Sequence, residues 1–133
     1  MYIRKLATLS LALVLSVACG NGVDLSEAGS SGALGAAEYF YDLLAKGDGR
    51  AYVENMHDAY EMDSCKKVQM IALMDQFLAE EQSLRGGILS AKATGDSLQD
   101  TTAVVFMNVL FGDSTSEAVI LPLVYTRGRW WVE

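Results

Sequence analysis

The groups in this sequence with chemistry of their own are two cysteines, one histidine beside an aspartate, and a short run of carboxylates. Cys19 stands between the small residues Ala18 and Gly20 at the end of an uncharged apolar run. Cys65 precedes Lys66 and Lys67 at the expected start of a helix. A helix N-terminus and two adjacent cations form a setting that activates a thiol; the alternative is a small, buried apolar residue. His57 is the only histidine, followed by Asp58 and flanked by Tyr52 and Tyr60. It reads either as a general base at a pocket mouth or as a partly exposed helix-end histidine favoured by the dipole. Asp58, Glu61 and Asp63 lack the alternate spacing and the glycine of a calcium loop, so no metal is expected. The sequence has no glycine-rich phosphate loop and no serine elbow. No catalytic residue is therefore assigned, no cofactor is expected, and a non-enzymatic role is the leading expectation.

The elements around these residues begin with the first eighteen. Arg4 and Lys5 precede the stretch Leu6 to Ala18, which carries no charge. A basic start followed by a short apolar run is a secretory signal, and the run is too short for a bilayer span, which needs about 20 apolar residues. Leu15-Ser16-Val17-Ala18-Cys19-Gly20 resembles a bacterial lipobox, departing from it at Ser16, where leucine is commoner. That resemblance implies a diacylglyceryl group on the Cys19 sulfur and cleavage before it, so that Cys19 is the lipid-attachment residue. Several acyl chains make attachment to a membrane effectively permanent. The expected organisation is a signal peptide over 1–18, a lipidated cysteine and flexible tether over 19–33, and one domain over 34–133. Neither Gly20 nor Asn21 is the aspartate that retains some lipoproteins inside, so the cell envelope, and there the outer membrane, is the expected location.

The formal net charge is −7, and loss of Arg4 and Lys5 with the signal takes it to −9. That excludes nucleic acid, whose phosphates need a basic face. It also argues against a domain lying flat on anionic lipid. Half the residues are apolar, enough for one core and too much for disorder. With Cys19 lipidated, Cys65 has no partner in the chain, and the fold stands without disulfides.

The tether, Gly20 to Gly35, holds five glycines and three serines, a composition that gives a flexible segment. The spacing of Ala37, Phe40, Tyr41 and Leu44 predicts a helix over 34–46, stopped at Gly47. Asp48 is placed to cap a short second helix through Tyr52 and Met56. A third, long helix is capped at Asp63 or Ser64, has Val68, Ile71, Leu78 and Leu84 on its apolar stripe, turns Glu80 and Glu81 to solvent, and ends at Gly86-Gly87. Strands are expected over 88–94, 101–111 and 118–125, with a last one at Trp130-Trp131-Val132. Gly95 to Asp100 is a connection, Gly112-Asp113 a primed hairpin turn, and Arg127-Gly128-Arg129 a short turn with Gly128 left-handed. Pro122 marks a bulge or a non-bonded edge. The fold class is α+β: three N-terminal helices packed on a curved antiparallel sheet.

Ala36 to Asp48 resembles the opening helix of the nuclear transport factor two-like cone. Val119 to Val124, followed by Gly128-Arg129-Trp130-Trp131-Val132, resembles its closing strands. Within that superfamily the chain is most similar to small bacterial lipoproteins with an uncharacterised lumazine-binding-like, cystatin-like domain. The resemblance implies helices covering a bent sheet with a pocket at the wide end. Such cones include isomerases, dehydratases and non-catalytic binding or assembly domains, so the fold does not choose the function. The methionines and tyrosines (Met56, Met62, Met70, Met74, Tyr39, Tyr41, Tyr52, Tyr60) read as core or as the lining of an apolar pocket. The expectation is a membrane-anchored domain that binds a protein partner or a small apolar ligand. The alternatives are an isomerase- or dehydratase-type enzyme using His57 or Asp58, and a homodimer built on the apolar sheet face.

Overall fold

The computed structural model describes residues 24–133. The expected signal segment, Cys19 and the start of the expected tether, up to residue 23, lie outside the described residues. Those described form helix α1 (Gly29–Ala45), helix α2 (Gly49–Glu54), a 3-10 turn (His57–Glu61) and helix α3 (Ser64–Arg85). Four strands follow: β1 (Ile88–Gln99), β2 (Thr102–Phe111), β3 (Ser116–Thr126) and β4 (Arg129–Val132). They pair antiparallel in the order β1-β2-β3-β4, a meander with helices on one face, as the order of elements implies.

Each helix starts and stops for local reasons. The Asp48 carboxylate accepts the Ala51 N–H at 3.0 Å and caps α2; Asp63 does the same for α3 through the Lys66 N–H at 2.8 Å. Gly86 ends α3 in the left-handed conformation, with φ 79°, which costs glycine little. The buried face of α1 is Ala33, Ala36, Ala37, Phe40, Leu43 and Leu44. It lies against the inner sheet face of Ala103, Val105, Met107, Val109, Phe111, Leu121, Leu123, Trp130 and Val132. The strict alternation of buried and open positions along β2 is the period of a strand with one covered face.

Helix α1 begins at Gly29, inside the segment expected to be a tether, and the flexible reading of residues 24–33 is corrected. The Trp130 N–H donates to the Leu25 carbonyl at 2.9 Å, and the Trp130 indole N–H donates to the Glu27 carbonyl at 2.8 Å. The chain is thus strapped along β4 before it enters the helix. Gly32 is buried, and a Cβ there would lie 1.7 Å from the Glu27 carbonyl oxygen. That glycine serves close approach, not flexibility.

Three further expectations are revised or narrowed. Strand β1 continues to Gln99, passing a register shift between Ala93 and Gly95; Gly95 sits at a bulge, not in a connection. The Glu38 carboxylate accepts the Ala93 N–H at 2.8 Å beside it. Pro122 lies in unbroken register opposite Val104. There is no bulge, and the edge alternative holds: β4 pairs only from Leu123 onward, so past its end only the Pro122 carbonyl is bonded, accepting the Glu133 N–H at 3.0 Å, and the missing proline N–H costs no ladder bond. In α3 only Ile71 is buried; Val68 and Leu84 are exposed at 61% and 76%. The helix packs on α2, with Ile71 buried and Met74 and Leu78 against the core, while Val68 and Leu84 at the two ends of its stripe stay open.

The turn after β2 is not primed at glycine. The left-handed residue is Ser114, with φ 74°, and the Asp113 carboxylate fixes the turn by accepting the Thr115 N–H at 3.0 Å. Gly112 is required for a different reason: a Cβ there would lie 2.3 Å from the Gly86 carbonyl oxygen, and the close approach lets its N–H donate to the Gly87 carbonyl at 2.8 Å and the Asp113 N–H to the Arg85 carbonyl at 2.7 Å. The end of α3 is thereby stapled to the β2–β3 turn.

Candidate functional site

That staple shapes the space between the end of α3 and the start of β3. A cavity of about 310 Å³ opens there, lined by Tyr41 of α1, Phe77, Glu81 and Arg85 of α3, Ile88, Val109, Phe111, Glu117 and Val119. Its floor is apolar. Its polar groups converge on one cation: Arg85 Nη1 donates to Glu117 Oε1 at 2.9 Å, and Arg85 Nε lies 3.7 Å from Glu81 Oε1. The second distance is an ionic contact beyond hydrogen-bond length. The Arg85 guanidinium also lies over the Phe111 ring, 4.3 Å from its centroid, a favourable cation–π placement. The Glu117 hydrogen bond raises the Arg85 pKa, so the rim cation is fixed in its charged form. Burial, and then the Glu117 charge, raise the Tyr41 pKa, so its hydroxyl is a neutral donor.

Below the mouth the cone is filled. Phe40, Met107, Leu123, Val105, Val109 and Trp130 are fully buried, and no polar or charged residue is buried among the described residues. A catalytic pocket of the isomerase type needs a titratable group in such a site. Here the interior positions carry hydrocarbon, an indole whose N–H is committed to the Glu27 carbonyl, and one phenol, Tyr52, which burial holds neutral.

The residues singled out in sequence are not brought together. His57 and Asp58 lie in the 3-10 turn, with Nδ1 and Oδ1 3.5 Å apart, and neither lines the mouth cavity. Tyr52 is buried, and burial raises its pKa. Tyr60 is 69% exposed. Asp58, Glu61, Met62, Asp63 and Lys66 surround a separate polar depression; among the described residues no group of histidine, cysteine and carboxylate side chains could hold a metal ion. Cys65 is exposed in the first turn of α3, which overturns its reading as a buried apolar residue. Met56 and Met74 pack against the core, as do Tyr39 and Tyr41.

Sequence reasoning missed the mouth residues Arg85, Glu81 and Glu117. The i,i+4 pair Glu81–Arg85 was open to reading from spacing, but Glu81 was assigned to solvent. Glu117 reaches Arg85 only through the staple at Gly112, for which the sequence offers no local signal.

No protein-family model and no curated protein matches this sequence. Among solved structures the chain is similar to an NTF2-like transpeptidase, so assigned by name, from Campylobacter jejuni. The TM-score is 0.55 at 16% identity, over 73% of this chain and 93% of that one. A SEC-C motif containing protein from Rhodopseudomonas palustris matches at TM-score 0.48 and 16% identity, over 70% of this chain and 68% of that one. The first likeness, together with the three helices on a four-stranded antiparallel sheet, establishes an NTF2-like fold.

Proposed function

We propose that this chain is a cell-envelope lipoprotein, anchored through acyl chains on Cys19, whose cone domain binds an apolar ligand or partner side chain without catalysis. The observation that carries the binding half is the filled cone with an apolar mouth. Its buried positions are apolar apart from the Tyr52 hydroxyl and the Trp130 indole N–H, and no carboxylate or histidine is buried among the described residues. At the mouth lies a recess floored by Ile88, Val109, Phe111 and Val119 with Arg85 at its rim; a second depression, between α1 and β1, is lined by Glu38, Tyr39 and Asp42. An apolar recess with one fixed polar group is how small-molecule sites set orientation. The basic start, the apolar run and the Ala18-Cys19-Gly20 spacing support the anchor.

The recess is tested with anilinonaphthalene sulfonate titrated into a fragment of residues 24–133. The dye's fluorescence should rise on binding. Val119→Trp, which fills the recess, should remove most of the rise, and Ile120→Asp on the opposite sheet face should preserve it. The reverse pattern would place binding elsewhere and sink the proposal.

A second reading has its own support. On the outer sheet face Phe106 of β2 stands directly opposite Ile120 of β3. Both are exposed, Ile120 at 61%, with Leu110 exposed on the same face. Contiguous apolar area of this kind marks interaction sites, and a homodimer through that face would cover it. Sedimentation at micromolar concentration should give a dimer that Ile120→Asp converts to monomer; a wild-type monomer removes this reading.

A further inference from the structure

The β3–β4 turn places two arginines and two aromatic rings in one ladder. The Arg127 guanidinium lies 4.1 Å from the Tyr60 ring centroid and 4.6 Å from that of Trp131. On Trp131 the Arg129 guanidinium follows at 3.8 Å. The order Tyr60, Arg127, Trp131, Arg129 alternates ring and cation. The Trp131 indole N–H is tied to the Thr126 carbonyl at 2.9 Å, and Arg129 is held by the Asn55 side chain and the Trp130 carbonyl. The platform is therefore built rather than incidental.

Two features of the ladder are unexplained by folding. First, Arg127 sits at φ 51°, in a turn position that favours glycine, asparagine or aspartate. Backbone strain at an exposed arginine points to a task for its side chain. Secondly, the chain is strongly acidic, yet among the described residues no carboxylate pairs with Arg127 or Arg129. The acids of the neighbouring strap are satisfied locally: Asp24 by the N–H and hydroxyl of Ser26, Glu27 by the Ser31 hydroxyl. Burial, and the Arg127 charge opposing Tyr39, press on the Arg129 cation and lower its pKa. An anion at the ladder relieves that pressure.

The position of the ladder identifies the anion. The Tyr125 hydroxyl touches the carbonyls of both Ser26 and Gly128, so the turn lies beside the strap. Asp24 is five positions on from Cys19, a reach of roughly 17 Å at full extension. The ladder thus lies at the end of the domain from which the anchor leaves. Tryptophan and tyrosine favour the membrane–water interface, and guanidinium groups bind phosphate in bidentate fashion. We propose that Tyr60, Arg127, Trp131 and Arg129 dock the domain on the phosphate headgroups of anionic phospholipid, fixing its orientation beside its own anchor. This rests on the reading of Cys19 as the lipid-attachment residue. The overall charge of −9 does not oppose it at contact, because repulsion from distant carboxylates is screened beyond about 8 Å at physiological salt. The short tether also supplies a high effective concentration, so a weak contact suffices.

The full-length lipidated protein is mixed with vesicles of phosphatidylcholine alone or with phosphatidylglycerol added. Flotation with neutral vesicles reports the anchor; Trp131 emission reports docking, since Trp130 is buried. Phosphatidylglycerol should shift the emission to the blue, and salt should reverse the shift. Arg127→Asn, which suits the turn, combined with Arg129→Gln, which keeps a donor for Asn55, should abolish it without loss of flotation. Trp131→Phe should remove the signal. An emission indifferent to phosphatidylglycerol while the protein still floats, or an unchanged shift in the double variant, overturns docking. So does an equal shift produced by inorganic phosphate on neutral vesicles, which would assign the ladder to soluble anions. Failure to float with neutral vesicles contradicts the anchor instead; flotation then seen only with phosphatidylglycerol, and lost in the double variant, still supports the docking surface.

Discussion

Gly86 and Gly112 cross backbone to backbone. A Cβ on Gly112 would lie 2.3 Å from the Gly86 carbonyl oxygen, and one on Gly86 would lie 3.0 Å from the Gly112 Cα. The crossing lets the Gly112 and Asp113 N–H groups donate to the Gly87 and Arg85 carbonyls, which sets Arg85 against Glu117 at the mouth. Gly112→Ala must push the turn off α3. A loss of about 2 kcal/mol or more is expected from this backbone conflict and the two strained hydrogen bonds. Urea unfolding measures it, and binding to the recess should weaken in the same variant. Unchanged stability would mean that the crossing is not under steric control.

Trp130 joins the strap to the sheet through its indole N–H to the Glu27 carbonyl, and it meets the Tyr125 ring edge-on at 5.1 Å. Trp130→Phe keeps most of the buried ring and removes the donor. The expected cost is roughly 1–2 kcal/mol, together with faster hydrogen exchange in residues 25–28, where the strap is released. Exchange there equal to wild type would detach the strap from this bond.

Tyr41 and Tyr52 both have raised pKa values, burial being the larger cause in each. For such a group the neutral form is favoured in the fold. Its stability contribution is therefore complete below the unfolded value of about 10 and is lost as pH rises through the folded value. Thermal unfolding midpoints should fall above about pH 10, and the fall should be shallower in Tyr41→Phe/Tyr52→Phe. An identical alkaline limb in both proteins contradicts the assignment.

The elements legible in the sequence are those set by local chemistry. Asp48, Asp63 and Gly86 mark helix ends through caps that involve near neighbours alone, and they are where the pattern puts them. The alternation in β2 likewise needs only one covered face. The misreadings share a different cause: the deciding partner is distant in sequence. Gly32 and Gly112 look like flexible or turn glycines, and each is a close approach to a segment outside its own. Glu81 looks solvent-facing until Arg85 and Glu117 are placed around it. The α3 stripe has a good helical period, but period alone does not say whether a core lies beneath it. The ladder of Tyr60, Arg127, Trp131 and Arg129 joins the 3-10 turn to β4 across the fold, so in sequence its members read separately as a core or pocket tyrosine, a turn and a last strand.

The net charge also misled in one respect. A value of −9 argues against contact with anionic lipid when charge is averaged over the surface. It does not describe a patch in which two guanidinium groups, without a carboxylate partner among the described residues, stand on aromatic rings beside the Ser26 strap. Local arrangement decides at contact distance, because screening removes the rest.

The fate of the Cys19 sulfur decides whether this domain is held at a membrane. Metabolic labelling with radioactive palmitate, in a bacterium that processes lipoproteins, tests it most directly. The wild-type chain should carry the label and partition into detergent, and Cys19→Ala should carry none. A wild-type chain without label, or equal label in Cys19→Ala, would contradict the anchor and with it the placing of this domain at a membrane.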